Sequence, residues 1–167
     1  MIKTRKIVLM GLLVALDVVA AIYLTITTPF LKVGVSFIPI SFTGVLFGPL
    51  LGGVGAAMAD VLQYLMKPLG GYIVGITVDA FLSGAVYGML LHNKKPSVAR
   101  AFIACALSEI VISGVLTTFW LYLAIPGNTF LALFVPRIIK SLIMTPIETA
   151  VVYGMWRLSK SVKALNF

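Results

Sequence analysis

Long apolar runs separated by short breaks form the pattern of hydrophobic and polar positions along this chain. A helix that spans a bilayer takes about 20 residues, and the runs predict six helices. Their approximate bounds are 7–26, 38–47, 51–66, 72–91, 98–124 and 130–158. Proline and glycine mark several of the breaks, including Gly48-Pro49 and Pro126-Gly127, as expected where a helix ends or turns.

Basic residues flank these runs and predict how the chain lies in the membrane. The cations before the first run, between the fourth and fifth runs and after the last run are Lys3, Arg5, Lys6, Lys94, Lys95, Arg100, Arg157, Lys160 and Lys163. Under the positive-inside rule such flanks face the cytoplasm. We therefore predict an all-α integral membrane protein, a bundle of six transmembrane helices with both the N and C termini cytoplasmic. Residues 1–167 are expected to form a single membrane domain.

The composition agrees with this class and excludes others. Of the 167 residues, 60% are hydrophobic and 11% are charged, whereas an average soluble domain is about 25% charged. One cysteine and one histidine give no basis for a disulfide scaffold or a metal site. The cations behind the net charge of +8 form no basic stripe interleaved with aromatic residues, so no nucleic-acid partner is expected.

The sequence also lacks the motifs of several enzyme classes. It contains no glycine-rich phosphate loop, no HExxH and no GxSxG. We therefore expect no catalytic residues and no hydrolysis of ATP by this chain. If the protein moves a solute uphill, the energy comes from an ion gradient or from a partner.

All the acidic residues fall inside predicted helices: Asp17, Asp60, Asp79, Glu109 and Glu148. A carboxylate at membrane depth is costly and normally faces the bundle interior or a water-filled cavity. Any one of them has a structural explanation, as a protonated acid or as the partner of a helix cation. The five together predict a polar site inside the bundle.

Cations in the outer half of the bundle are exceptions to the positive-inside pattern. Lys32 and Lys67 lie in predicted outer loops, and Arg137 and Lys140 share one stripe of the sixth helix with Glu148. That acid lies about 16 Å deeper than Arg137, at about 1.5 Å of rise per residue. Such cations attract an anionic ligand from outside, and an arginine can hold a carboxylate through two parallel hydrogen bonds. The alternative is that they pair with the acids of neighbouring helices.

Two further groups of residues each have two interpretations. Aromatic residues at the outer helix ends either form an interfacial belt or stack on a ligand: Tyr64, Tyr72, Phe119, Trp120 and Tyr122. Small residues four apart let helices approach closely, as in Gly84 and Gly88 of the fourth helix. Gly11 and Ala15 of the first helix serve either such packing or contact with a partner subunit.

Three stretches carry a further signal, in this order: SFIPISFTGVLFGPLLGGVGAAMAD (36–60), FLSGAVYGMLL (81–91) and VPRIIKSLIMTPIE (135–148). In order and spacing they resemble the substrate-binding S components of energy-coupling factor (ECF) transporters, most closely the folate-specific branch. One departure is Thr117, where members of that family more often carry asparagine.

The resemblance implies a six-helix bundle in the bacterial plasma membrane that captures a vitamin, here folate, from outside with high affinity. Such a component binds no cofactor itself and works with a membrane coupling protein and two cytoplasmic ATPases, which use ATP. It is thought to topple in the membrane to release the vitamin. Outer loops act as the gate, which here corresponds to 28–37 and 67–72, with Lys32, Lys67, Pro68 and Gly70. Small residues of the first helix contact the coupling protein, which assigns that role to Gly11 and Ala15.

Folate has a flat pterin ring with adjacent N–H donors, an aromatic linker and a glutamate tail with carboxylates. We therefore expect Asp60 or Asp79 to bind the pterin donors, because a buried carboxylate accepts paired hydrogen bonds. The candidates for stacking on the ring are Phe37, Tyr64, Tyr72 and Trp120. The candidates for holding the tail are Arg137, Lys140, Lys32 and Lys67.

Other functions remain open on sequence grounds. Pantothenate also carries a carboxylate, so an S component for that vitamin is an alternative, whereas cationic thiamine would want fewer outer cations. An ion-coupled secondary carrier is a second alternative, although no internal repeat is visible. An intramembrane enzyme would need a nucleophile and a base at depth, and His92 falls in a predicted cytoplasmic loop.

Overall fold

The computed structural model describes residues 2–27, 32–68, 70–125, 127 and 129–161, and most of these residues are helical. The elements are α1 (Ile2–Tyr23), β1 (Thr25–Thr27), β2 (Lys32–Gly34), α2 (Phe37–Met66), α3 (Val74–Leu91), α4 (Val98–Ala106), a π-helical segment (Leu107–Leu116), α5 (Thr117–Ala124) and α6 (Phe130–Ser161). Helix α4, the π-helical segment and α5 follow one another without a break. Five spans of the described chain are long and apolar enough to cross a membrane: Thr4–Tyr23, Phe37–Met66, Val74–Leu91, Val98–Ala124 and Phe130–Ser161.

Helix α2 consists of two limbs that fold back on one another at Gly48. This glycine has φ 83° and ψ −175°, a conformation that side chains with a Cβ rarely adopt. A Cβ on Gly52 would lie 2.8 Å from the Cα of Gly44, although eight residues of straight helix extend about 12 Å. The predicted break at Gly48-Pro49 is therefore confirmed.

The predicted second and third helices are these two limbs. The first limb, residues 37–47, is about 16 Å long, which is about half the thickness of the hydrocarbon core. The two limbs together make one of the five spans, whereas the sequence predicts six separate transmembrane helices. The placement of the termini relative to the membrane stays a prediction.

The turn between the two limbs packs closely on α3. A Cβ on Gly84 would overlap the carbonyl group of Gly52, and a Cβ on Gly88 would overlap the backbone of Gly48 and Pro49. The small residues of α3 therefore serve close helix packing, as their spacing predicts. At the same end, His92 Nδ1 lies 2.8 Å from the carbonyl oxygen of Val45.

A two-stranded antiparallel hairpin joins α1 to α2. Thr25 pairs with Gly34 and Ile26 with Val33. The sequence predicts a helix to residue 26 followed by a loop, but α1 ends at Tyr23. The β-branched residues Thr25, Ile26 and Thr27 favour the extended strand over the helix. We call the end of the bundle formed by this hairpin and residues 67–73 the hairpin end.

The main apolar core lies toward the opposite end of the bundle. It contains Val45, Tyr87, Leu91, Cys105 and Trp156, together with Ala104 and Val152. Four elements contribute to it, namely the first limb of α2, α3, α4 and α6. Since this cluster closes one end with apolar side chains, the polar interior of the bundle lies between it and the hairpin end.

We expect Gly88→Ala to destabilise the fold by about 1–3 kcal/mol, because the added methyl group overlaps backbone atoms that cannot move independently. Unfolding of the purified protein in detergent measures the effect. Gly154→Ala in α6 is the matched control, since a Cβ there meets no atom within 4 Å, and it should leave stability unchanged or slightly higher. Equal stability of the two variants would contradict the close packing of α3 on α2.

Candidate ligand-binding site

A cavity of about 350 Å³ lies inside the bundle between α2, α3, the π-helical segment and α6. It reaches from Thr25 and Lys67 at the hairpin end to Tyr87 and Glu148 deep in the bundle. It meets the surface at the hairpin end, where its lining residue Tyr72 is 43% exposed. This volume lies within the range of small-molecule sites.

A chain of hydrogen bonds surrounds Asp60 near the opening of the cavity. The Thr77 hydroxyl donates to Asp60 Oδ2 over 2.7 Å, and the Tyr72 and Thr77 hydroxyl oxygens are 2.6 Å apart. Because a threonine hydroxyl has one proton, the Tyr72 hydroxyl is the donor in the second bond. The ring of Tyr64 lies 5.0 Å from that of Tyr72, and its hydroxyl donates to the carbonyl of Gly70. Both tyrosines therefore present ring surface to the cavity from fixed positions.

Asp79 is buried, and both of its carboxylate oxygens accept hydrogen bonds from α5. Thr117 donates to Oδ2 over 2.8 Å, and the Trp120 indole donates to Oδ1 over 3.2 Å. The Trp120 ring packs on Gly75, where a Cβ would overlap the indole. Asp79 lines the cavity, whereas Trp120 is absent from its described lining. Trp120 therefore supports Asp79 through its indole N–H, and its stacking on a ligand stays a prediction.

Arg137 lines the cavity without forming an ion pair at contact distance to any described residue. Its side chain is 8% exposed, and Nη1 donates to the carbonyl of Ser113 over 3.1 Å. Among the described residues, no carboxylate lies within 4.0 Å of its guanidinium, and Nε has no hydrogen-bond partner. Pairing with Asp60 or Asp79, the alternative left open by the sequence, therefore does not occur at contact distance.

Lys140 has a partner on the neighbouring helix. Its Nζ lies 2.6 Å from Glu109 Oε2, and the two side chains are 13% and 12% exposed. Ser141 also donates to Glu109, to the carbonyl oxygen over 2.8 Å. Glu109 thus neutralises Lys140, so the residue is a structural cation in this state. The sequence grouped Lys140 with Arg137, and both residues line the cavity, but of the two only Lys140 has a carboxylate within 4.0 Å among the described residues.

The π-helical segment supplies backbone acceptors to α6. Its carbonyls at Glu109 and Ser113 accept hydrogen bonds from Ser141 and Arg137, respectively. Segments of π-helix occur often at functional sites. The sequence predicts an uninterrupted helix over 98–124, because the departure from α geometry depends on neighbouring helices and leaves no local pattern.

The remaining predicted site and gate residues divide between the cavity and other places. Phe37 and Lys67 line the cavity, whereas Pro68 and Gly70 do not. The backbone of Lys32 lies in β2, and its side chain falls outside the described part of the chain. Residues 28–31 and 69 of the predicted gate are also outside the described residues.

Several cavity residues are absent from the sequence-based site. They include Glu109, Ser113, Thr117 and Glu148. Glu109 and Glu148 belong to the five acids from which the sequence predicts a polar site inside the bundle, although neither was assigned a contact with the ligand. The others became site residues through contacts between helices.

The predicted docking residues lie on a different surface. Gly11 and Ala15 are exposed on α1, beside Leu12 and Leu16, which are 55% and 49% exposed. This exposed face of α1 is apolar. The opposite face of the helix, which includes Asp17 and Val18, is buried.

The fold and the cavity define a multi-pass membrane protein that encloses a polar binding site within its helices. The family model described as ECF transporter, substrate-specific component matches residues 5–155, and the chain belongs to this family. The family is a transporter component, so the expectation that the chain is not an enzyme is confirmed.

Similar proteins agree with this assignment. The chain is 35% identical over 164 residues to the folate transporter FolT of Clostridium novyi (strain NT), covering 98% of this chain and 95% of the relative. It is 32% identical to the folate transporter FolT of Leuconostoc mesenteroides subsp. mesenteroides, over 91% of this chain and 84% of the relative. A crystal structure of FolT bound with folic acid is 39% identical, with a TM-score of 0.85 and coverage of 92% of this chain and 94% of that one.

We expect Lys140→Met to destabilise the protein by about 3–5 kcal/mol, because it leaves the Glu109 carboxylate buried without its partner. The double variant Lys140→Met/Glu109→Gln should recover most of this loss, since it removes both charges. The test measures unfolding in detergent of Lys140→Met, of Glu109→Gln and of the double variant. A double variant as unstable as Lys140→Met would show that the ion pair does not explain the loss.

Proposed function

We propose that the chain is the folate-binding S component of an ECF importer in a bacterial plasma membrane. The observation that carries the proposal is the Arg137 guanidinium, which lines the cavity without a carboxylate partner among the described residues. A buried charge is unfavourable unless it is paired, so the cavity is built for an anionic ligand. The named relatives and the folic acid-bound structure support folate as that ligand.

The ligand's glutamate tail supplies the missing anion in this proposal. An arginine can hold a carboxylate through two parallel hydrogen bonds, and Nε of Arg137 has no hydrogen-bond partner among the described residues. Lys67 at the exposed opening attracts the ligand without fixing its position. Lys140 contributes little, because Glu109 already neutralises it.

The aromatic parts of the ligand pack on the aromatic wall of the cavity. Tyr64, Tyr72 and Phe37 line it near the hairpin end. The hydrogen bonds of the two tyrosines fix their rings before the ligand arrives, which lowers the entropy lost on binding. The loops at 28–37 and 67–72 then act as the gate over this site.

Transport in this proposal depends on other subunits. A membrane coupling protein docks on the exposed apolar face of α1 around Gly11 and Ala15, where small residues allow close helix approach. Two cytoplasmic ATPases supply the energy. The chain itself captures the vitamin without ATP.

Binding by the purified chain is the first test of this function. We expect the purified chain to bind folic acid tightly and stoichiometrically in detergent without ATP. Calorimetry and the fluorescence of Trp120 measure this binding. Pantothenate and thiamine serve as comparison ligands. If a folded sample binds pantothenate and not folic acid, the S-component architecture stands and the folate assignment is wrong.

The role of Arg137 has its own test. We expect Arg137→Met to weaken folic acid binding about 10- to 100-fold, because the variant loses hydrogen bonds to a charged group. The affinity of Arg137→Lys for folic acid should lie between those of the wild type and Arg137→Met, since lysine keeps the charge and loses the paired donors. Lys67→Met is the control, with a small effect that vanishes at high salt. Unchanged affinity of Arg137→Met would overturn the tail assignment.

A further inference from the structure

A groove of about 500 Å³ lies on the outer surface of the bundle. It is lined by α1, by the start of the first limb of α2 and by the last turns of α6, and it shares no described lining residue with the polar cavity. Leu13, Ala20 and Pro39 are buried and form its floor, whereas Leu16 and Val19 are each 49% exposed and form its rim. The groove therefore opens to the outside of the bundle, where the membrane lies.

The walls of this groove suit a hydrocarbon chain. The floor and rim residues are apolar, and α6 adds Met155 and Leu158. Ser159 is the one polar residue of the described lining, and its hydroxyl donates to the carbonyl of Trp156 over 2.8 Å. A polar group placed between such walls would lose its hydrogen bonds, which is costly.

The length of the groove matches one leaflet of a bilayer. Its lining along α1 runs from Leu13 to Leu24, next to the end of the helix, which corresponds to about 16 Å. The hydrocarbon core of a bilayer is about 30 Å thick, so an acyl chain of one leaflet extends through about 15 Å. One chain of a phospholipid can therefore lie along the whole groove.

Two cations lie at the end of the groove opposite the hairpin. Arg157 and Lys160 are exposed on α6 and are sequence neighbours of the lining residues Leu158 and Ser159. Neither of them forms an ion pair with a described residue. Lysine and arginine near a membrane surface attract anionic headgroups, so the charge at this end complements a lipid phosphate.

We propose that this groove binds one anionic phospholipid, with an acyl chain along the apolar floor and the headgroup phosphate at Arg157 and Lys160. The acyl chain supplies the van der Waals contacts that the walls of an empty groove would lack. The inference goes beyond the proposed folate-binding function and does not depend on it, because the groove and the polar cavity are lined by different residues.

A bound lipid is compatible with the proposed docking of a coupling protein on α1. Leu13 and Ala20 are seven residues apart and share the face that forms the groove floor. Gly11 and Ala15 lie about half a turn around the helix from that face. A lipid in the groove would therefore leave these small residues exposed for close helix contact.

Native mass spectrometry of the delipidated chain tests the headgroup contact. The probes are palmitoyl-oleoyl phosphatidylglycerol, which is anionic, and the zwitterionic phosphatidylcholine with the same chains. We expect one phosphatidylglycerol per chain, bound about 10- to 30-fold more tightly than phosphatidylcholine. Arg157→Gln/Lys160→Gln should lose this preference. Lys94→Gln/Lys95→Gln is the matched control and should keep it, since it removes the same charge from the loop between α3 and α4, outside the described groove.

A second pair of variants tests the acyl chain contact. Val19→Trp should weaken phosphatidylglycerol binding about 10-fold or more, because the indole occupies space that the acyl chain takes. Val135→Trp in α6 is the matched control, since Val135 is 48% exposed and lines neither described cavity. Unfolding in detergent shows that both variants are folded, and the charge variants test the site independently of this pair.

Four results would overturn the inference. Equal binding of the two lipids by the wild type would remove the headgroup contact. An equal loss in Val135→Trp would show a general effect of the apolar surface, and an equal loss in Lys94→Gln/Lys95→Gln would show a general effect of net charge. A dimer that retains no lipid would assign the groove to a second copy of the chain.

Discussion

A carboxylate within a helical bundle at membrane depth must find its partners inside the bundle, and this constraint organises the whole interior. Water is absent from the hydrocarbon core, and each unsatisfied polar group there costs several kcal/mol. Asp60 on α2 bonds to α3, Asp79 on α3 bonds to α5, and Glu109 bonds to α6. The acids therefore connect the helices around the cavity in sequence, and the cavity keeps its shape because these connections hold it.

Against this background, two residues of the cavity wall differ from the rest. Arg137 has no carboxylate partner and Glu148 has an unused oxygen among the described residues, although both are almost fully buried. Protein interiors rarely retain such groups without a reason. An anionic ligand would supply the partner that the described residues do not give to Arg137.

The backbone packing separates this polar interior from the lipid and from the far end of the bundle. Close contact of α2 with α3 at Gly84 and Gly88 leaves no room for side chains between them. The apolar cluster around Tyr87 and Trp156 closes the end opposite the hairpin. The opening of the cavity thus lies at the hairpin end, while the outer face of α1 is exposed and apolar.

Features set by local sequence could be predicted, and features set by contacts between helices could not. The reversal at Gly48-Pro49 follows from two adjacent residues, and the stripe from Arg137 to Glu148 follows from helical periodicity. The partner of Lys140 could not be predicted, because Glu109 reaches it only through the register of the π-helical segment. The same holds for Asp79, whose donors Thr117 and Trp120 lie about forty positions further along the chain.

A structure of the chain with folic acid bound would test the central claim most directly, namely that Arg137 holds the anionic tail of a ligand inside the cavity. The account predicts a glutamate carboxylate within hydrogen-bond distance of the Arg137 guanidinium, at about 2.7–2.9 Å. A ligand bound in the reverse direction, with no carboxylate near the Arg137 guanidinium, would contradict it.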